Sequence, residues 1–536
     1  MHIGYVSDEW YRAIPEARVE LREEGARVAL VESGPTGAVE ADISPGTYEV
    51  TVSKTGFGPK RRTVEVASDE PHQFRLLSDD PLGYVWPKWA RAGEAGTCYL
   101  HTPEEAKLSL WRYGGAREHV EQVMWYDDHG PGVGLQRTPD GDYTETGVGW
   151  DEYGGSTDAF AIDVEAPAGS GLYLFHLETK LGEFFAFPWV VAPADPTARL
   201  AVLASTNTWN AYNPFGGRGN YACPEDLPDR PFVEPRHEMD RYTAGSAWEK
   251  PNDEYRPISF QRPCTFTSIP RDESPTDPIE GKEESHTASA EWRLLAWLER
   301  EGYGYDLYAD HQLHDGTLDL DAYDAFVVHT HPEYWSREMY HVTKEWVFDR
   351  GGNLVYLGGN GLNAEVEYPD DTQMRVNSDA SAVPTVADPT DIPDDEYESR
   401  FHYTVESEGS LLGVVYTPAG ITTAAPYEVR DADHWAFEGT DLTAGDRFGT
   451  ETLQMRCAGG ASGHETDKVS AFAPAGTRLL AKGLNPDDGG AEVVHYETES
   501  GGSTFSVGSI TWTAALFVDS EVATITRNVL DRALRD

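Results

Sequence analysis

The sequence predicts a multidomain chain: two amino-terminal β-sandwich modules, then an α/β core on a parallel sheet that carries a β-rich insertion. Three observations predict it. Before residue 195 the apolar runs are short, and Gly, Pro and Asp turns separate them. From residue 199, buried-type apolar strands alternate with amphipathic helical patterns, which implies a right-handed parallel α/β arrangement. After about residue 375 the pattern turns β-rich and irregular, and a closing helical pattern near 519 to 535 returns to the α/β layer.

In order, residues 1–80 read as a small β domain. Arg27–Val31, Gly46–Val52 and Arg62–Val66 are strand-like, with glycine turns between them. The segment Ile43-Ser44-Pro45-Gly46-Thr47-Tyr48, leading to Lys54-Thr55-Gly56-Phe57, resembles carboxypeptidase-regulatory-like modules, which are accessory. Residues 81–195 read as an immunoglobulin-like sandwich, with strands at 96–101, 108–113, 171–177 and 184–191. Pro193-Ala194-Asp195-Pro196 is a linker signal. Residues 196–536 form the third unit. Leu200–Ser205 is a near-continuous apolar strand, Glu291–Arg300 an amphipathic helix, and 302–308 a strand. Ala325–Val328 is the next strand, followed by a helix at 336 to 350 and a strand at Asn353–Leu357.

The chain has 92 acidic against 42 basic residues, a net charge of −50, with 11% aromatic residues. This describes a folded protein with an acidic surface of the halophilic type. It argues against nucleic acid and anionic membranes as partners. Cys98, Cys223, Cys264 and Cys457 form no CxxC pair, hence neither a disulfide framework nor a zinc knuckle. The start lacks a basic region with a long apolar core, and no run of eighteen apolar residues occurs, so a soluble cytoplasmic protein is expected.

Chemistry is expected where two strands end. Val327-Val328 runs into His329-Thr330-His331-Pro332-Glu333-Tyr334-Trp335, and Asn353–Leu357 runs into Gly358-Gly359-Asn360-Gly361. Open α/β sheets bind ligands at the carboxyl ends of their strands. Glu333 is either a metal ligand or a carboxylate at a helix N-terminus. His331 either caps that helix or orients the carboxylate and moves protons. Tyr212 is either a ligand or an aromatic anchor. Asn360 is an oxyanion donor or a turn residue, since an amide there cannot attack. His464-Glu465-Thr466-Asp467 reads as a second acidic loop or a solvated turn. His311, His314 and Asp315 read as a loop or helix surface more readily than as a metal cluster.

Residues 199–536 resemble the large (beta) subunit of N,N-dimethylformamidase, with its glutamine-amidotransferase-like (class I) core. The resemblance lies in Thr206–Asn213 with Gly216-Gly217 and Tyr221, Ile258-Ser259-Phe260-Gln261-Arg262-Pro263, Trp297–Tyr303, His331–Ser336 and Gly358–Gly361. It implies an amidohydrolase-like metalloenzyme that cleaves a small formamide-type C–N bond at a mononuclear iron (Fe3+) bound by two tyrosinates and a glutamate. Carried over, Glu333 is the ligand glutamate, His331 the histidine beside it and Tyr212 the first tyrosine. Tyr255 is the second tyrosine, with Tyr221 the fallback, because Cys264 stands after Arg262-Pro263 where relatives carry tyrosine. Glu465 is implied as general base. The resemblance also implies a separate small subunit, and a homo-oligomer is compatible with it. The alternative is a non-catalytic amidotransferase-like protein that binds a ligand or partner, with its sandwiches as docking modules.

Overall fold

The computed structural model describes residues 1–9, 11–67, 71–128, 161–221, 230–233, 257–377 and 399–535. It is β-rich, with several sheets and few helices. In the first unit, Ala26–Glu32, Arg18–Glu23, Gly46–Lys54 and Phe57–Val66 form an antiparallel sheet in that order. His2–Asp8 adds a second sheet between Ala38–Glu40 and His72–Leu76, parallel to the latter. The sequence gives that first strand little alternation to read, yet Ile3 and Val6 enter the same core as Val19, Val50 and Phe74.

The second unit is a two-sheet sandwich. Ala161–Glu165, Ala95–His101 and Leu82–Trp86 make one sheet. Arg117–Met124, Ala106–Tyr113, Gly171–Thr179, Phe184–Ala192 and Trp89–Arg91 make the other. Cys98, Leu110, Phe175 and Trp189 pack between them. Side chains alternate across a strand, so Leu172 and Leu174 face the opposite way from Phe175, into the core of the third unit. Tyr113 meets Trp292 edge-on there, at 4.8 Å between ring centroids.

The third unit is built on a nine-stranded sheet. Asp306–Ala309, Leu200–Ala204, Ala325–Thr330, Asn353–Gly358 and Ser503–Ser506 lie side by side and parallel. Glu492–Glu497, Arg478–Gly483, Tyr427–Val429 and Arg447–Phe448 continue it antiparallel. The longer helices are Ala288–Glu301, Arg337–Asp349 and Ser520–Ala533. Ser336 and Asp519 cap the last two by accepting from Met339 N and Val522 N.

One boundary differs from the sequence reading. Gly302, at φ 87°, ends its helix left-handed, and the strand starts only at Asp306. After the strand Ser503–Ser506, Ser509 accepts from Thr511 N and opens a 3-10 helix, Ile510–Ala515. Among the described residues no helix is long and apolar enough to cross a membrane.

Candidate active site

The strand Ala325–Thr330 ends in Thr330 at φ 59°, a left-handed conformation that bulky residues avoid. His331, Pro332 and Glu333 then fold tightly, with Glu333 N donating to His331 O at 3.0 Å. Thr208 clamps this turn: its hydroxyl donates to His331 O (2.8 Å) and accepts from Glu333 N (3.2 Å). Both side chains therefore enter one place. His331 Nε2 lies 3.3 Å from Glu333 Oε2 and 3.1 Å from Glu465 Oε2.

The neighbouring strand, Asn353–Gly358, leads into Gly359 and Asn360. A Cβ at Gly359 would stand 2.5 Å from Glu465 O, so glycine lets the two loops close on each other. Asn360 is left-handed at φ 51°, and its amide donates to Glu465 Oε2 at 2.7 Å. Asp467 holds Asn360 in place, accepting from its backbone N at 2.7 Å and from Tyr356 OH at 2.8 Å.

The phenols come from the segment after the first core strand. Tyr212 ends the short helix Thr206–Tyr212, and Tyr221 lies beyond it. Tyr221 OH is 3.0 Å from Tyr212 OH, 3.3 and 3.4 Å from the two Glu333 oxygens, and 2.9 Å from Tyr334 OH. Arg262, fully buried, gathers this loop by donating to the carbonyls of Phe215 (2.5 Å), Arg218 (2.8 Å) and Asn210 (3.2 Å). Lys282 lies over both rings, 4.8 Å from that of Tyr212 and 5.6 Å from that of Tyr221.

Burial opposes charge on His331, but the Glu465 and Glu333 carboxylates outweigh it and raise its pKa. Burial also works against Glu465, yet His331 holds it well below the usual carboxylate range. Glu333 goes up, through burial first and the charge of Glu465 as well. Burial, with the charge of Glu333, pushes Tyr212, Tyr221 and Tyr334 well above the ordinary phenol value.

Two histidines extend the site: His286, which the sequence reading did not name, and His464, which it named only as part of an acidic loop. His286 Nδ1 is 2.7 Å from His331 Nδ1, and His286 Nε2 is 3.0 Å from His464 Nε2. Arg456 Nη1 is 3.1 Å from His464 Nε2, which makes that nitrogen an acceptor. His286 Nε2 then donates to it. Burial, with His464 and His331 beside it, drives the His286 pKa well down, so its Nδ1 accepts from His331. His331 thus donates through Nδ1 to His286, while its Nε2 lies within ion-pair distance of both carboxylates. Nothing in sequence spacing brings positions 286, 331 and 464 together.

Of the sequence-derived site residues, Tyr212, Tyr221, Glu333, His331, Asn360 and Glu465 therefore meet in one cluster. Tyr255 lies outside the described residues. Cys264 is buried with Sγ 3.5 Å from Trp209 O. His311 stacks on Trp89 and pairs with Asp315 at 3.5 Å, and His314 meets Ser336 Oγ at 2.8 Å. Among the described residues no group of three or more His, Cys, Asp or Glu is placed to hold a metal ion.

Residues 110–524 match the family model for N,N-dimethylformamidase beta subunit-like proteins, C-terminal. The chain belongs to this N,N-dimethylformamidase beta subunit-like family. Every site residue named above falls inside the match. Residues 15–77 separately match the PEGA domain. The N,N-dimethylformamidase beta subunit of Paracoccus aminophilus is 27% identical over 294 residues, covering 46% of this chain and 37% of the relative. That of an Alcaligenes species is 27% identical over 287 residues, with the same coverages of 46% and 37%. The chain thus matches well under half the length of these dimethylformamidase subunits. A solved structure, the Bacillus anthracis TIE protein, is similar at 10% identity over 35% of this chain and 33% of its own, but the TM-score of 0.13 carries no argument.

The dimethylformamidase-like cluster can be tested for fit to a hard cation. Oxygens bound at about 2.0–2.2 Å, at angles between square and tetrahedral, stand about 2.8–3.6 Å from one another. The separations of Tyr221 OH from Tyr212 OH and from both Glu333 oxygens, 3.0 to 3.4 Å, fall in that range. Once the two phenols give up their protons, two tyrosinates and a carboxylate would be the anionic oxygen donors that a hard ferric ion takes. The residues present fit it.

Proposed function

We propose that the chain is an amide hydrolase acting on a small N-substituted formamide, with a mononuclear ferric ion held by Tyr212, Tyr221 and Glu333. The observation that carries this reading is that Tyr221 OH stands 3.0 Å from Tyr212 OH and 3.3 Å from Glu333 Oε1, beside the His331–Glu465 pair. The family membership adds to it. Bound there, iron would polarise the amide carbonyl and acidify a water.

The chain's own groups supply the rest. Glu465 is ionised and takes the proton of the attacking water as its oxygen bonds to the carbonyl carbon. Asn360 fixes the Glu465 carboxylate by donating its side-chain amide N–H at 2.7 Å, and its other amide hydrogen can meet a substrate oxygen. As the C–N bond breaks, the leaving amine takes a proton from the His331 imidazolium, and a carboxylic acid and an amine result. His286 keeps His331 oriented through Nδ1.

The test is hydrolysis of N,N-dimethylformamide, followed as amine release, by protein folded in molar KCl with iron supplied. Turnover that falls by about 10²–10⁴ in Glu465→Gln, with iron retained, supports the roles given. Turnover unchanged in Glu465→Gln contradicts them.

A further inference from the structure

One cleft lies at the seam between the second and third units and belongs to no part of the mechanism above. It encloses about 220 Å³. Its floor is the sheet face that also carries Leu172 and Leu174, continued by His176 and Glu178, and Arg271 borders it from the core side. Pockets that hold small ligands favour such domain seams.

Its charge runs against that of the molecule. The chain carries 42 Lys and Arg against 92 acids, yet Lys107, Arg117 and Arg271 line this cleft with Glu178 the sole carboxylate among its lining residues. Glu178 is shared by Lys107 and Arg271, each at 3.1 Å, so a single negative charge faces both. Arg117 donates to the backbone carbonyls of Arg271 and Glu273, which position it without neutralising it. Two positive charges are left over.

The wall is aromatic. Trp111 stacks on His176, with centroids 5.2 Å apart and planes at 17°, and His119 meets Trp111 edge-on at 5.1 Å. Burial, reinforced by Arg117 and Arg271, drives His176 down to about 3, so its ring is neutral and hydrogen-bonds Tyr113 OH at 2.8 Å. A flat apolar surface beside excess cations suits a flat ligand bearing negative charge.

We propose that this cleft binds a small planar organic anion, a carboxylate on an aromatic frame, held by Lys107, Arg117 and Arg271 with its plane against Trp111. Because Arg271 comes from the core and the other groups from the sandwich, the ligand fastens the two units together. The proposal stands independently of the iron reading.

Fluorine NMR of fluorobenzoate, titrated into the full chain in molar KCl, tests it, with fluorobenzamide as the neutral isostere. The acid saturates at one site per chain and the amide does not bind. Lys107→Gln and Arg271→Gln weaken the acid by about tenfold. Glu178→Gln, which removes the competing carboxylate, tightens it by roughly threefold or more. Absence of saturable binding, equal binding of acid and amide, or an affinity unmoved by Glu178→Gln overturns the proposal. If Arg271→Gln does not fold, the Glu178→Gln result decides.

Discussion

His331 Nε2 lies 3.1 Å from Glu465 Oε2, and the same nitrogen is 3.3 Å from Glu333 Oε2. One imidazolium thus separates two buried carboxylates that would otherwise repel at close range. Removing it leaves both charges uncompensated. His331→Asn is expected to lose about 3–5 kcal/mol of stability in chemical denaturation, the cost of breaking a buried ion pair from one side. A loss under about 1 kcal/mol would mean that the imidazole is neutral in the folded chain.

Arg262 supports the tyrosine loop from beneath, and Lys cannot reproduce its fan of donors. Arg262→Lys is expected to lower the melting temperature and, at a temperature where the variant is still folded, to weaken metal binding. A variant as stable as the parent, and as well loaded, would remove Arg262 from the account.

Glu291 supports the helix that carries Tyr212. Its Oε1 accepts from Trp209 Nε1 at 2.8 Å and from Ser205 N at 3.2 Å. Burial lifts its pKa from 4.5 to about 8. Between those values the folded chain holds a proton that the unfolded chain has released, so this group's contribution is full below the unfolded pKa and is lost as pH rises through about 8. Glu291→Gln keeps an acceptor and removes the titration. Its stability should fall less with pH, by up to about 1.4 kcal/mol per unit, across this window. Parallel stability–pH curves for parent and variant would refute the assignment.

The net charge of −50 sets a further expectation. Carboxylates repel over about 30 Å in 0.01 M salt and about 3 Å in 1 M. Thermal melts should therefore move upward as KCl rises from dilute to molar. An unchanged or lower midpoint at molar KCl would refute the salt-adapted reading.

Much of the site was legible because its residues stand next to strand ends. His331 and Glu333 follow an apolar strand directly, and Asn360 follows the next one, so pattern alone brings them to one edge of the sheet. Tyr212 follows the first strand in the same way. The partners contributed by loops were not legible. His286 meets His331 from 45 positions away and His464 meets His286 from 178 positions away, and no periodicity links them. Tyr334 hydrogen-bonds Tyr221 from the motif itself, which the sequence reading named without giving this residue a role of its own. The fold boundary at 302–308 failed where helix capping set the start: Gly302 ends its helix left-handed, and the strand begins only at Asp306.

The central claim is the donor set, and iron content per chain tests it most directly. The protein should be expressed with iron available and analysed in molar KCl, beside Tyr221→Phe, Tyr255→Phe and Glu333→Gln. The account predicts one iron per parent chain with a visible tyrosinate-to-iron absorption band, retention of both in Tyr255→Phe, and loss of iron in Tyr221→Phe and Glu333→Gln. Parent protein without iron, or Tyr221→Phe with full iron and an unaltered band, would contradict it.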